Sequence, residues 1–347
     1  MSIRKFTRAI SAVALVLSCG AALACPTCPD DLSAPNNNSG SQTNASAGPA
    51  ANNAATTANI VSDISGGGGT GLVGLQYKRY ALGGTGAAAA PGGKQWNVWG
   101  AFSRSSIAYE FAPLNSSGQV NVYLGGIDYT FSNNVVLGVA TAFDRTDIDQ
   151  NAVAGTLKGE GVTVSPYLAV LINKNFSFDA TLGYGRTHVD TAVPVAGVLV
   201  VGSTRSDRNL ATLGMTYRAT AGAWTFTGRG ALLHVHDKLG AYTLSNGTFV
   251  ADGTVNLTQA RLTGMVAYTS GPVTPYVSLS YINDIRRPNQ APIGGVAAAN
   301  DRDAWTPAVG IRFRADNSFY GSVQYSTERG RSEVRNNQFL INAGFRF

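Results

Sequence analysis

From Gln95 to its last residue, Phe347, the chain reads as one alternating strand after another. Twelve segments keep apolar residues on a single parity: 95–103, 120–131, 135–144, 162–172, 176–186, 206–218, 224–235, 258–268, 273–282, 305–314, 319–326 and 337–347. Successive side chains of a strand point to opposite faces, so one parity makes one face. Val135, Leu137, Val139 and Phe143 share a face, opposite Gly138, Ala140, Ala142 and Asp144. Phe176, Phe178, Ala180, Leu182 and Tyr184 oppose Ser177, Asp179, Thr181 and Gly183. A soluble β-sandwich alternates too, with its apolar face turned inward.

Two features favour the inverted arrangement, a transmembrane antiparallel β-barrel of about 12 strands with the apolar face toward lipid. The first is connection length. Tight connections follow the even-numbered segments: Ser132 to Asn134, Asn173 to Asn175, Ala219 to Ala223, Thr269 to Pro272 and Ala315 to Ser318. Longer polar ones follow odd-numbered segments, such as Arg145 to Gly161, Thr187 to Arg205 and Asn283 to Ala304. Short periplasmic turns and long external loops are the rule of transmembrane barrels. The second is a concentration of aromatics beside the tight turns, including Tyr129, Phe131, Phe176, Tyr217, Trp224, Tyr268 and Phe319. Rings at that level form an interfacial girdle.

The two ends of the chain point to the same compartment. Arg4, Lys5 and Arg8 precede an apolar run, and Ala22-Leu23-Ala24 is an A-x-A cleavage site, with Ala22 and Ala24 as its small residues. Residues 1–24 are therefore expected to be a signal peptide. No other stretch offers about 20 unbroken apolar residues, so a membrane helix is not expected. At the other end Phe339, Ile341, Ala343, Phe345 and Phe347 share one parity, and the chain stops on an aromatic. The pattern in Phe339, Ile341, Phe345 and Phe347 resembles the C-terminal signal by which barrel-assembly machinery takes up outer-membrane barrels.

Residues 25–93 are of another composition. Residues 33–59 hold Ala, Asn, Ser, Thr, Gly and Pro almost exclusively and carry no charge. Such a stretch buries too little apolar surface to offset its ordering entropy and is expected to be mostly disordered. The sequence leaves open whether it is a short passenger or a plug of the lumen. Residues 94–347 would be the barrel.

Resemblance to a known family strengthens this reading. Trp96-Asn97-Val98-Trp99-Gly100, Gly125 to Phe131, Val136 to Ala140 followed by Asp144, Leu182-Gly183-Tyr184-Gly185, Thr274-Pro275-Tyr276 and the closing Phe345-Arg346-Phe347 resemble the β-domain of autotransporters, their translocator. The resemblance implies a twelve-stranded barrel in the outer membrane of a Gram-negative cell, a helix threaded through the lumen and a passenger sent to the surface. It also implies passage by periplasmic chaperones, assembly machinery and outer-membrane lipid as partners. The chain departs from the family in having no long repetitive passenger. The expected function is translocation or display of its own N-terminal segment. The alternative is a self-standing pore or structural surface barrel plugged by that segment; a surface adhesin acting through the long loops is a third.

Charge and candidate ligands exclude most other classes. Charged residues are 13% of the chain, about half the globular average. The formal charge of +6 includes three positives of the signal, which gives no case for nucleic acid. Cys25-Pro26-Thr27-Cys28 suits a small disulfide in an exported protein; a redox role lacks its strand-to-helix setting, and Cys25 or Cys19 is a weak lipoprotein candidate. His234 and His236 share one strand face, but a zinc site needs three or four ligands. No catalytic residue, metal or cofactor is expected, and the protein is not read as an enzyme. Asp128, Asp179, Arg229, Arg261, Arg312, Arg314 and Arg346 fall on the polar parity. A charge on the lipid face costs about 2–4 kcal/mol near the midplane, so these side chains are expected to face the lumen.

Overall fold

The computed structural model describes residue 60 and residues 96–110, 115–131, 134–287, 299, 301–315 and 318–347. Residues 38–347 form one compact unit, which contains all of these. The segments 1–24 and 25–93, apart from Ile60, lie outside the described residues, as do Ala22, Ala24 and both cysteines of the C-x-x-C.

Fourteen strands follow in chain order: β1 Trp96–Tyr109, β2 Ser116–Phe131, β3 Val135–Gln150, β4 Gly155–Leu171, β5 Phe176–Val195, β6 Val198–Ala221, β7 Trp224–Leu239, β8 Tyr242–Thr243, β9 Phe249–Val250, β10 Gly253–Tyr268, β11 Val273–Arg286, β12 Asp303–Arg314, β13 Phe319–Glu328 and β14 Val334–Arg346. Twelve of them, all but β8 and β9, close into an antiparallel barrel in which each strand pairs with its chain neighbour and β14 pairs with β1. The seam is made to the last residue. The Trp96 amide donates to the Phe347 carbonyl at 3.2 Å, and the Phe347 amide returns a bond to the Trp96 carbonyl at 3.1 Å. Closure leaves no unpaired sheet edge, which a bilayer would not tolerate.

The exterior is apolar. Leu182, Val277, Val309 and Ile311 are 49–60% exposed to the surroundings, a range that in water would mark an aggregating surface and here marks the lipid face. Among the described residues no helix is long and apolar enough to cross a membrane. Aromatic pairs ring the end that carries the tight turns: Trp96–Tyr129, Phe176–Tyr217 and Trp224–Tyr268, each with ring centroids 4.9 Å apart. The turns themselves are locally determined. The amides of Asn175 and Phe176 both donate to Asn173 Oδ1, at 2.8 and 2.9 Å. Gly222, at φ 59, takes the left-handed conformation of its turn at no steric cost.

The other end departs from the expected loops. Arg145 to Gly161 and Thr187 to Arg205 are not open connections. β3 and β4 stay paired out to Gln150 and Gly155, and β5 and β6 out to Val195 and Val198, where Ala196 and Gly197 turn at φ 51 and 79. Two left-handed residues match the twist of a tight hairpin. Hydrophobic alternation ends where the outward parity turns polar, so the pattern alone places the strand ends short of these hairpins. The inward parity continues, with Ile148, Leu157 and Val189 packed together. β8 and β9 form a small hairpin between β7 and β10, and its Leu244 and Val250 pack on Val200 of β6.

Candidate functional site

Twelve closed strands enclose a lumen, and its wall is built by the inward parity. Asp128 and Asp179 project into it from β2 and β5, fully buried. Arg229, Arg261, Arg312, Arg314 and Arg346 lie on the same inward side, half-buried. These seven are not one cluster. They divide among separate networks.

Near the tight-turn end, Asp128 is held by two neighbours, one of them held in turn by a third. The Tyr167 hydroxyl donates to Asp128 Oδ2 at 2.8 Å, Asn97 Nδ2 donates to the same oxygen at 2.9 Å, and Trp99 Nε1 donates to the Tyr167 hydroxyl at 2.8 Å. The Tyr320 hydroxyl then donates to Asn97 Oδ1 at 3.0 Å, with the Arg346 guanidinium 5.1 Å from the Tyr320 ring centroid. The chain of contacts thus crosses the seam from β4 through β2 and β1 to β13 and β14. Glycine makes it possible. A Cβ at Gly138 would strike the Tyr167 ring, at Gly126 the Trp99 ring and at Gly344 the Tyr320 ring. Each ring lies flat over a neighbouring strand because that strand offers no side chain there.

Beside it stands a bidentate ion pair. Arg229 donates from Nη1 and Nη2 to the two Asp179 oxygens at 2.6 and 2.9 Å, and from Nη1 to Thr216 Oγ1 at 3.1 Å. β6 runs between the two, and Gly214 leaves the room: a Cβ there would sit 2.6 Å from Asp179 Oδ1. Arg312 stacks 4.8 Å from the Tyr276 ring centroid, and the Tyr276 hydroxyl donates to Gln324 Oε1 at 2.9 Å. Arg314 lies near Arg346, within reach of its charge.

The opposite half of the lumen carries further charge, most of it on residues outside those seven. Arg208, 1% exposed, reaches Asp237 at 3.1 Å and Asp144 at 3.4 Å. Arg331 bridges Asp284 at 2.9 Å and Glu328 at 3.2 Å, and Arg261 lies within electrostatic reach of Glu328. Between these ion pairs are lumenal aliphatic patches. One joins Leu210, Leu233, Val235, Leu239, Val255 and Leu257. The other joins Ile107, Val120, Val122, Leu124 and Leu340 with Ala140, Ala142 and Trp99, and it includes Ile60. Ile60 is 3% exposed. The signal for these patches was present in the sequence: Val120, Val122 and Leu124 are apolar on the parity opposite Tyr123, so both faces there are apolar.

Phe339, Ile341 and Phe345 of β14 and Phe347 just after it are exposed on the lipid face, and the Phe345 and Phe347 rings stack at 6.4 Å. His234 and His236 also face outward, sharing hydrogen bonds with Thr258 at 3.0 Å and Asn256 at 2.7 Å. Among the described residues no three His, Cys, Asp or Glu side chains are grouped to hold a metal.

A closed twelve-stranded barrel with a filled, charged lumen and short turns at the end where both termini of the barrel lie has known counterparts. The family model of the autotransporter β-domain matches residues 97–326. The chain belongs to the autotransporter β-domain family. Among solved structures it is similar to the translocator domain of the autotransporter NalP from Neisseria meningitidis, at 14% identity over 80% of this chain and 95% of that one, with a TM-score of 0.63. The β-domain of the Bordetella autotransporter BrkA matches at 15% identity over 73% of this chain and 100% of its own, with a TM-score of 0.60. The transport unit of AIDA-I from Escherichia coli matches at 10% identity over 79% and 97%, with a TM-score of 0.53. At these identities the likeness is one of fold. No curated protein matches the chain. This autotransporter β-domain is an outer-membrane β-barrel of the Gram-negative type.

Proposed function

We propose that the barrel carries its own short N-terminal segment through its lumen and displays it at the cell surface. The observation that supports this is Ile60. It belongs to the segment ahead of the barrel, yet it packs among residues that β1, β2, β3 and β14 turn into the lumen. The composition upstream suits threading. Residues 33–59 contain no charged and no aromatic side chain, so little desolvation or bulk opposes their passage through a narrow wall. The alternative, a plug that stays inside, draws on the same contact. No reaction is assigned to the barrel.

A tag at Ala45 separates the two readings. On intact cells the tag should be open to protease and antibody. A protected tag, together with higher conductance of a chain lacking 33–93, would establish the plug instead.

The same reading gives β14 a role in assembly. Its outward aromatic parity would meet the barrel-assembly machinery after periplasmic chaperones release the chain. Phe347→Ser should leave export across the inner membrane intact and lower the heat-modifiable, folded barrel in the outer membrane. Unchanged barrel levels would remove this role.

A further inference from the structure

The outer wall of β1–β6 carries its exposed charges in a band, just beyond the apolar belt on the side away from the tight turns. One row of the sheet register runs Phe102, Tyr123, Phe143, Val162, Arg186, Asp207 across the six strands. The next row outward runs Arg104, Asn121, Arg145, Glu160, His188, Arg205. Four arginines thus stand against two carboxylates in two adjoining register rows. Beyond it the sign reverses, with Asp147, Lys158 and Asp190 in one register row and Asp149 further out. On the outer wall of the other strands exposed charges are sparser, as Lys238, Arg286, Asp303 and Arg335.

Within the band a groove of about 690 Å³ is lined by Tyr123, Phe143 and Val162 and by Arg145, Arg186 and Arg205, with Glu160 and Asp207 beside the arginines in the sheet register. The local ion pairs are exchangeable. Arg145 and Glu160 are 3.7 Å apart with side chains 66% and 71% exposed, and such pairs contribute little. Arg186 donates to Asp207 at 2.9 Å from an equally open position. Arg205 has no side-chain partner among the described residues. Guanidinium forks suit phosphate, and an apolar wall beside them suits acyl chains.

We propose that this band binds the diphosphorylated, acylated glucosamine head of lipopolysaccharide, the lipid of the outer leaflet in which the barrel stands. The aromatics and Val162 take the upper acyl chains. Arg104, Arg145, Arg186 and Arg205 take the phosphates, which lie at the level where an apolar belt gives way to cations. Charge complementarity and the banding select this lipid over a zwitterionic phospholipid.

The test uses the purified, folded full-length chain in detergent and a hexa-acylated diphosphoryl lipid A probe, read by native mass spectrometry. The chain should retain this lipid in preference to phosphatidylglycerol. Arg104→Gln/Arg145→Gln/Arg186→Gln/Arg205→Gln should weaken retention about tenfold or more, the equivalent of losing one good charge-assisted contact or several weak ones. Glu160→Gln/Asp207→Asn frees two arginines and should strengthen it several-fold. Equal retention by the quadruple variant, equal competition by phosphatidylglycerol, or weaker binding by the Gln/Asn variant would each overturn the proposal. The second variant keeps the test decisive if the first fails to fold.

Discussion

Val277→Arg and Leu182→Arg should each cost about 2–4 kcal/mol of folding free energy in a bilayer, while Ser278→Arg costs much less. Val277 and Leu182 are 60% and 51% exposed on the outer wall, each near the middle of the apolar part of its strand. An arginine there must either drag water into hydrocarbon or bend toward a headgroup. Ser278 is the next residue of β11 and half-buried on the lumen side, where Arg312 and Arg229 already stand. Folding of the three variants into lipid vesicles, followed by heat-modifiable mobility and reversible urea unfolding, reads the difference. Equal damage from all three would contradict the assignment of the exposed apolar face to lipid.

Asp179→Ala should cost about 3–5 kcal/mol, because it strands the Arg229 guanidinium in a lumen wall where its side chain is only 9% exposed. Arg229→Ala strands the fully buried Asp179 carboxylate and should cost a similar amount. The double variant should cost clearly less than the sum, since removing both charges removes the desolvation penalty with the pair. Unfolding free energies of the four chains close the cycle. Strictly additive costs would mean that the two groups do not act as a pair. The bidentate geometry and the space above Gly214 argue against that outcome.

How much of this was legible beforehand follows from the range of the forces involved. Side-chain alternation is a property of adjacent residues, so strand number, the tight turns and the apolar exterior could be counted along the chain. Asn173 caps its own turn and Gly222 adopts its own φ, with no help from distant residues. The length of the strands was less legible. Beyond the membrane only one parity of β5 and β6 is packed, and the outward parity, with Arg186, Asp190, Arg205 and Asp207, reads as a polar loop.

By itself, then, the sequence determined a barrel: the period of two, the alternation of short and long connections and a last strand that closes the sheet are all written in local order. It also marked part of the charge on the inward parity, such as Asp128, Asp179 and Arg229. Only the tertiary structure decided how that charge is matched. Asp179 meets Arg229 across 50 residues of chain, and Asp144 meets Arg208 across 64, because curvature and register bring non-adjacent strands within a side chain's reach. Tyr167 finds Asp128 over Gly138, and Ile60 finds the wall formed by Val120, Val122 and Leu340, by the same means. Closure of the sheet is the physical reason. It converts twelve separate inward faces into one shared interior, and no pair of neighbouring residues contains that information.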